Sequence, residues 1–232
     1  MTEIKTPLHT LLDTIEITTN KAQKQPYSVQ LLAVSKTWPA EDLRKLANQG
    51  QRCFGENYLQ EALTKIAALS DLRIEWHFIG PIQSNKTRDI AANFDWVQSI
   101  DRIKIARRLS EQRPSNLDKL NVCIQVNIDN EDSKSGVKSD EVLNFAKQII
   151  QFEHLQLRGL MIIPKKTTDP QQQQHSFQNA QSLFSQLAAI YPSIDTLSMG
   201  MSADMECAIA EGSTMVRIGT ALFGARHTPL SE

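Results

Sequence analysis

The sequence predicts a closed (β/α)8 TIM barrel, an α/β fold, on three observations. Eight short β-type runs each precede a helical run across 232 residues, with no long linker. The strand runs are apolar without clean alternation, as in a sheet covered on both faces. The length is close to the ~250 residues usual for that fold. An open doubly wound sheet also alternates strands and helices. It is the weaker alternative, because no G-x-G-x-x-G follows the first strand.

A leading amphipathic segment runs from Pro7 to Lys24, with Leu8, Leu11, Leu12 and Ile15 on one face. It is expected to cap the bottom of the barrel, residues 1–28 forming this leader within one domain of residues 1–232. Val29 to Ser35 (VQLLAVS) is the first strand. The helix after Pro39 buries Leu43, Leu46 and Ala47 and stops at Gly50. Arg52 to Phe54 is the second strand, followed by a helix through Leu59, Ala62, Leu63, Ile66 and Ala67. Ile74 to Ile79 (IEWHFI) is the third, with a weak helix from Asn85 to Asn93 behind it. Trp96 and Val97 mark the fourth strand. Asp101 is placed to cap the basic helix that runs to Gln112.

The second half repeats the scheme. Asn121 to Ile128 (NVCIQVNI) is the fifth strand, and Ser139 is placed to cap a helix carrying Val142, Ala146, Ile149 and Ile150. Leu157 to Ile163 is the sixth. Asp169 and Pro170 combine a cap with proline at the first helical position; Phe177, Ala180, Phe184 and Leu187 follow at helical spacing. Thr196 to Ser198 is the seventh strand, and a helix from Ala203 to Glu211 ends at Gly212. Met215 to Ile218 is the eighth, with a helical turn after Thr220.

Composition excludes several classes of function. Twenty-five basic and twenty-six acidic residues give a net charge of -1, against the basic excess of a nucleic-acid binder. No apolar run approaches the ~20 residues of a membrane span, and the first residues, MTEIKTPLHT, have no signal-peptide pattern. No membrane association is expected. Cys53, Cys123 and Cys207 lack metal-ligand spacing and lie in apolar segments. They read as buried thiols with no metal site, in a cytoplasmic protein.

In a (β/α)8 barrel the chemistry gathers at the C-terminal ends of the strands. Those ends carry Lys36, then Glu56, Asn57 and Tyr58, then His77 and Gly80. Ser198 to Ser202 follow the seventh strand, and Arg217, Gly219 and Thr220 end the eighth. A strand-end lysine that is partly desolvated loses its proton more easily and can form a Schiff base with an aldehyde. Lys36 also fits a bland role at the rim, snorkelling to water or paired with an acid. The turns Gly200-Met201-Ser202 and Gly219-Thr220 lie where barrels of this kind bind phosphate. Glycine admits close backbone approach, and Ser or Thr adds a hydroxyl donor; ordinary turns and caps would also look like this.

A lysine facing a phosphate cradle suits an aldehyde that carries a phosphate, and pyridoxal 5'-phosphate (PLP) is such a compound. Arg217 then becomes the partner of the pyridine nitrogen. Arginine cannot accept a proton, so that nitrogen would stay unprotonated and the ring would be a weaker electron sink. The alternative for Arg217 is an interior ion pair with Glu56 or Glu206.

These residues sit in segments that resemble a known family, the pyridoxal phosphate homeostasis proteins, or PLP-binding protein family. The matching pieces are AVSKT (33–37), FGENYLQE (54–61), WHFIGPIQSNK (76–86), VNIDNEDSKSG (126–136), GLM (159–161), LSMGMSADMECAI (197–209) and VRIGTALFG (216–224). The resemblance implies a fold type III barrel similar to the N-terminal domain of alanine racemase. It implies a Schiff base on Lys36, and phosphate held by Ser202, Gly219, Thr220 and the Gly200–Met201 backbone. It places Arg217 at the ring nitrogen, with Asn57, His77 and the strand-end Ser198 nearby. Glu131, Lys134 and Gly136 also match, without a chemical role.

The same resemblance implies a non-catalytic protein that maintains the PLP pool, with PLP-dependent apoenzymes as recipients. The chain as given ends eight residues after Gly224. The β-domain of racemases is therefore expected to be absent, and a monomer is expected. Inverting an α-carbon needs a second acid/base, for which only Tyr58 or His77 offer themselves. The alternatives are a low-activity racemase-like PLP enzyme and a barrel enzyme that forms a Schiff base with a phosphorylated metabolite without PLP.

Overall fold

Burial on both faces is the rule for the strands: all five residues of β4 (Trp96–Ile100) and all four of β9 (Met215–Ile218) are buried. The computed structural model describes residues 6–25, 28–131 and 134–224. Within them the first half contains α1 (Pro7–Lys21), β1 (Gln30–Val34), α2 (Ala40–Asn48), β2 (Cys53–Glu56), α3 (Leu59–Ala68), β3 (Glu75–Phe78), α4 (Thr87–Asn93), β4 and α5 (Ile103–Gln112). The second contains β5 (Leu120–Asn127), β6 (Val137–Lys138), α6 (Val142–Ile149), β7 (Leu155–Ile162), α7 (Pro170–Ile190), β8 (Thr196–Ser198), α8 (Met205–Ala210), β9 and α9 (Thr220–Phe223).

The sheet runs β4-β3-β2-β1-β9-β8-β7-β5, and β4 pairs with β5 to close the ring. The pairings around the ring are parallel, and β6 adds two residues beside the end of β5. Eight strands thus form the closed barrel expected from the sequence, and the doubly wound alternative falls. The main apolar core lies between the strands and the helices, filled by side chains such as Leu43, Phe54, Ile90, Leu109, Val142 and Phe177. No helix among the described residues is long and apolar enough to cross a membrane.

Side-chain capping explains two helix starts among the described residues, those of α1 and α7. Asp169 accepts from the Gln171 N–H ahead of α7, with Pro170 in the first position, as expected. Two expected caps are not formed. Arg102 occupies the N-cap of α5, and Asp101 instead accepts from the Arg102 Nε at 2.9 Å. Ser139 lies inside a 3-10 turn, Ser139–Glu141, that leads into α6. The pairing of Val137 and Lys138 with β5 brings the chain into that turn without room for a separate cap. The leading helix, expected to close the bottom of the barrel, packs mainly on α8 and α9. It completes the outer layer where α9 is a single turn.

Gly159 marks the tightest approach between strands. The β5–β7 register shifts beside it, and a Cβ there would lie 1.8 Å from the Thr196 carbonyl oxygen of β8. Backbone on both sides leaves no flexible neighbour to yield. Gly159→Ala is therefore expected to cost ~3 kcal/mol, the upper part of the overpacking range. The check is a lower urea midpoint with an unchanged slope; an unaltered midpoint would show that β7 and β8 separate freely.

Candidate functional site

The C-terminal ends of the strands converge on a cavity of about 320 Å³. Its polar lining is Lys36 after β1, Asn57 after β2, Arg217 on β9, Ser202 after β8, and Thr220 at the start of α9. Met201 and Gly219 also line it, and the apolar walls are Val34, Trp38, Ile79, Met161 and Ile163. Seven of the ten residues expected at the site thus meet here. The Trp38 ring stacks on Phe223 at 5.5 Å and closes one side.

Strand geometry decides how deep each side chain sits. Alternate residues share a face, so Val34 and Lys36 both face the cavity, as do Arg217 and Gly219. Lys36 is half-buried and Ser202 and Thr220 are exposed, so the mouth is open on the hydroxyl side. Two polar groups hold the turn that carries Ser202: the Met201 N–H donates to Asp204 Oδ1 at 2.5 Å, and the Asp204 N–H donates to the Met201 carbonyl at 3.1 Å. Gly200 does not line the cavity. It has φ +96, and a Cβ there would come within 2.6 Å of the Ala208 Cβ, so it packs the turn on α8.

Arg217 is 5% exposed. One Nη donates to the Ser198 carbonyl at 2.7 Å and its hydroxyl at 2.8 Å, and the other donates to the Ile162 carbonyl at 2.8 Å. Burial lowers its pKa to about 10, so it remains a cation at neutral pH. The ion pair considered from sequence does not form: Glu56 accepts from Lys65 at 2.7 Å, and Glu206 is exposed. Burial pushes the Glu56 carboxyl up, against the opposing pull of Lys65 and Ser35.

His77 and Ser198 lie below the cavity, in the barrel interior, rather than at its wall. Ile79, two residues beyond His77 on the same face, takes the wall position. From Arg217 a directed chain of hydrogen bonds descends through the interior. Ser198 Oγ accepts from Arg217, so it donates to Gln98 Oε1, at 2.7 Å. Gln98 Nε2 then donates to His77 Nδ1 at 2.9 Å, and His77 Nε2 donates to Glu75 Oε1 at 2.8 Å. The His77 ring also stacks on Trp96 at 5.1 Å. Burial lowers the pKa of His77. Burial alone would raise Glu75, but the hydrogen bonds from His77 and Cys53 take it below the usual carboxylate value.

Cys53 and Cys123 are buried as expected, and burial pushes both thiols up to about 12. Cys207 is only half-buried, a correction, because it lies toward the outer side of the short α8. Cys53, Glu75 and His77 bring three donor atoms within 4.8 Å of one another. These groups already hydrogen-bond to each other. Glu131 and Lys134 form an ion pair at 2.6 Å beside a polar cleft near the end of β5, apart from the central cavity.

A lysine, an arginine and two hydroxyl-bearing turns at one end of a (β/α)8 barrel define a class. The family described as alanine racemase, N-terminal domain, matches residues 11–227. An alanine racemase of Clostridium difficile shares the fold at a TM-score of 0.73 and 13% identity, over 94% of this chain and 57% of that one. A pyridoxal phosphate homeostasis protein of Vibrio alginolyticus is 53% identical over 97% of this chain and 99% of its own length. PipY of Synechococcus elongatus, in a structure with PLP bound, is 37% identical with a TM-score of 0.77, over 90% of this chain and 100% of that one. The chain belongs to the pyridoxal phosphate homeostasis protein family, within that racemase-like class.

Sequence reasoning named Met161 on the sixth strand but missed Gln98, Trp38 and the walls Val34, Ile79 and Ile163. The walls had a signal: Val34 precedes Lys36 by two, and Ile79 follows His77 by two. Gln98 had none, since its partners come from β3 and β8.

The interior chain has a consequence for pH. His77 stays neutral in the folded barrel, whereas an unfolded histidine takes up a proton below its ordinary value of 6.5. The stability that rests on neutral His77 is present above that value and is lost as pH falls. The urea midpoint should drop between pH 6.5 and about pH 5 and drop less steeply in His77→Phe. Equal slopes for the two proteins would contradict this.

Proposed function

We propose that the chain binds PLP in the upper cavity through a covalent bond to Lys36, and that it holds and releases the cofactor to maintain intracellular PLP. One observation carries the reading: a half-buried amine, a fixed cation and two hydroxyl-bearing turns face a single cavity. The cavity also fits a polar guest. The Asn57 Oδ1 is buried without a hydrogen-bond partner, a cost that a ligand donor would remove. PLP supplies, when bound, an aldehyde for the amine and an aromatic ring that withdraws electrons.

The residues divide the work. Lys36 provides the nucleophilic nitrogen. Ser202, Thr220 and the Gly219 backbone hold the phosphate. Arg217 faces the ring nitrogen, and because it remains protonated it donates there without transferring a proton. His77 and Ser198 support Arg217 from below.

Holding is favoured over catalysis by the same lining. No carboxylate, imidazole, phenol or thiol stands beside Lys36 among the described residues that line the cavity. His77 is sealed inside, and Tyr58 is 56% exposed and stands outside the lining. A racemase-like reaction would need a second base opposite Lys36. The names of the relatives agree with the homeostasis role. The setting we infer is a cytoplasmic, single-domain monomer with PLP-dependent apoenzymes as recipients.

Borohydride reduction of PLP-loaded protein should fix the cofactor on the peptide that contains Lys36. Predominant label on another lysine would overturn the assignment. Ser202→Ala and Thr220→Val each delete a hydrogen bond to a charged group, about 1.5–3 kcal/mol. Each should weaken PLP binding by roughly ten- to a hundred-fold. Parent-like retention in both would place the phosphate elsewhere.

A further inference from the structure

Thr37, the residue after Lys36, has φ +71. The Trp38 N–H donates to the Ser35 carbonyl at 3.1 Å, so residues 35–38 form a turn whose third residue is Thr37. Turns with a positive φ at that place normally use glycine or asparagine. A β-branched residue keeps such a conformation only where its surroundings over-determine it.

The surroundings do so through α3. The Thr37 N–H donates to Glu61 Oε1 at 2.5 Å. Glu61 Oε1 also accepts from Lys65 Nζ at 2.5 Å. Lys65 is 4% exposed, and its remaining donors go to Glu56 Oε1 and the Ser35 carbonyl, both at 2.7 Å. The Ser35 hydroxyl donates to the same Glu56 oxygen at 2.6 Å. All three protons of the ammonium are thereby used. The residues on either side of Lys36 are tied to one buried cation, Ser35 directly and Thr37 through Glu61.

An exposed i,i+4 pair on a helix would need none of this. Such pairs contribute little and reach only their own helix, whereas Lys65 bridges α3 to the ends of β1 and β2. We propose that Glu61, held by Lys65, is a positioning residue for Lys36: it enforces the left-handed turn at Thr37 that keeps the lysine on the cavity wall. The proposal rests on the reading that Lys36 bonds PLP covalently.

The test separates the covalent step from phosphate binding. Pyridoxine 5'-phosphate carries an alcohol in place of the aldehyde, so it occupies the phosphate turns without condensing with an amine. Glu61→Ala should lower the equilibrium and rate of covalent PLP attachment by about ten-fold. Binding of pyridoxine 5'-phosphate should stay within about two-fold, because its phosphate donors lie on the turns after β8 and β9. Glu61→Gln keeps the acceptor for the Thr37 N–H and should behave like the parent. Thr37→Gly, added to Glu61→Ala, adopts the turn unaided and should restore most of the attachment. Lys65 keeps Glu56 in every variant, so no buried cation is stranded.

Attachment by Glu61→Ala at the parent rate and extent would overturn the proposal. So would a parallel loss of pyridoxine 5'-phosphate binding that Thr37→Gly does not repair, which would mark Glu61 as general scaffold. Failure of the underlying reading shows separately, as absence of covalent attachment at Lys36 in the unsubstituted protein.

Discussion

The parallel pairing of β4 with β5, Trp96 against Asn121 and Val97 against Val122, turns a strip of strands into a ring. That closure determines which side chains can meet. In an open sheet the residues after β1 and β9 would adjoin, but those after β5 and β7 would lie far from the residues after β2 and β3. In the ring they share one mouth. Closure also buries the polar side chains that point inward, and burial is costly for a polar group without a partner. The hydrogen-bond chain from Arg217 to Glu75 supplies such partners, and its direction follows from the one group that can only donate.

The consequence at the mouth is rigidity beneath and openness above. Arg217 is fixed by three acceptors, and Lys36 sits between two residues tied to Lys65. Ser202, Thr220 and Met201 remain exposed. A site built this way presents fixed groups beneath an opening on the hydroxyl side. Among the described residues its lining offers a guanidinium, which on the proposed reading faces the ring nitrogen, and no carboxylate. On the proposed reading, that arrangement favours retention over chemical turnover.

Most of the barrel was legible because its strands are apolar runs between clear helical periods, and the Asp169-Pro170 start was legible because it is local. The strand-end rule then located Lys36, Asn57, Ser202, Arg217, Gly219 and Thr220 on one cavity. It misjudged His77 and Ser198, because it names the strand and not the depth, and a two-residue step moves a side chain one layer down. It missed Gln98 and Glu61, whose partners come from elements remote in sequence. The expected caps Asp101 and Ser139 failed for a related reason: an adjacent arginine claimed one, and strand pairing of the preceding residues drew the other into a turn.

The central claim is that this barrel holds PLP without activating an amino acid. Proton NMR of L-alanine in D2O with the PLP-loaded protein tests it most directly, since loss of the α-proton signal reports proton abstraction whether or not product forms. The account predicts α-hydrogen exchange no faster than with the same concentration of free PLP. Exchange well above that level, abolished in Lys36→Ala, would contradict it.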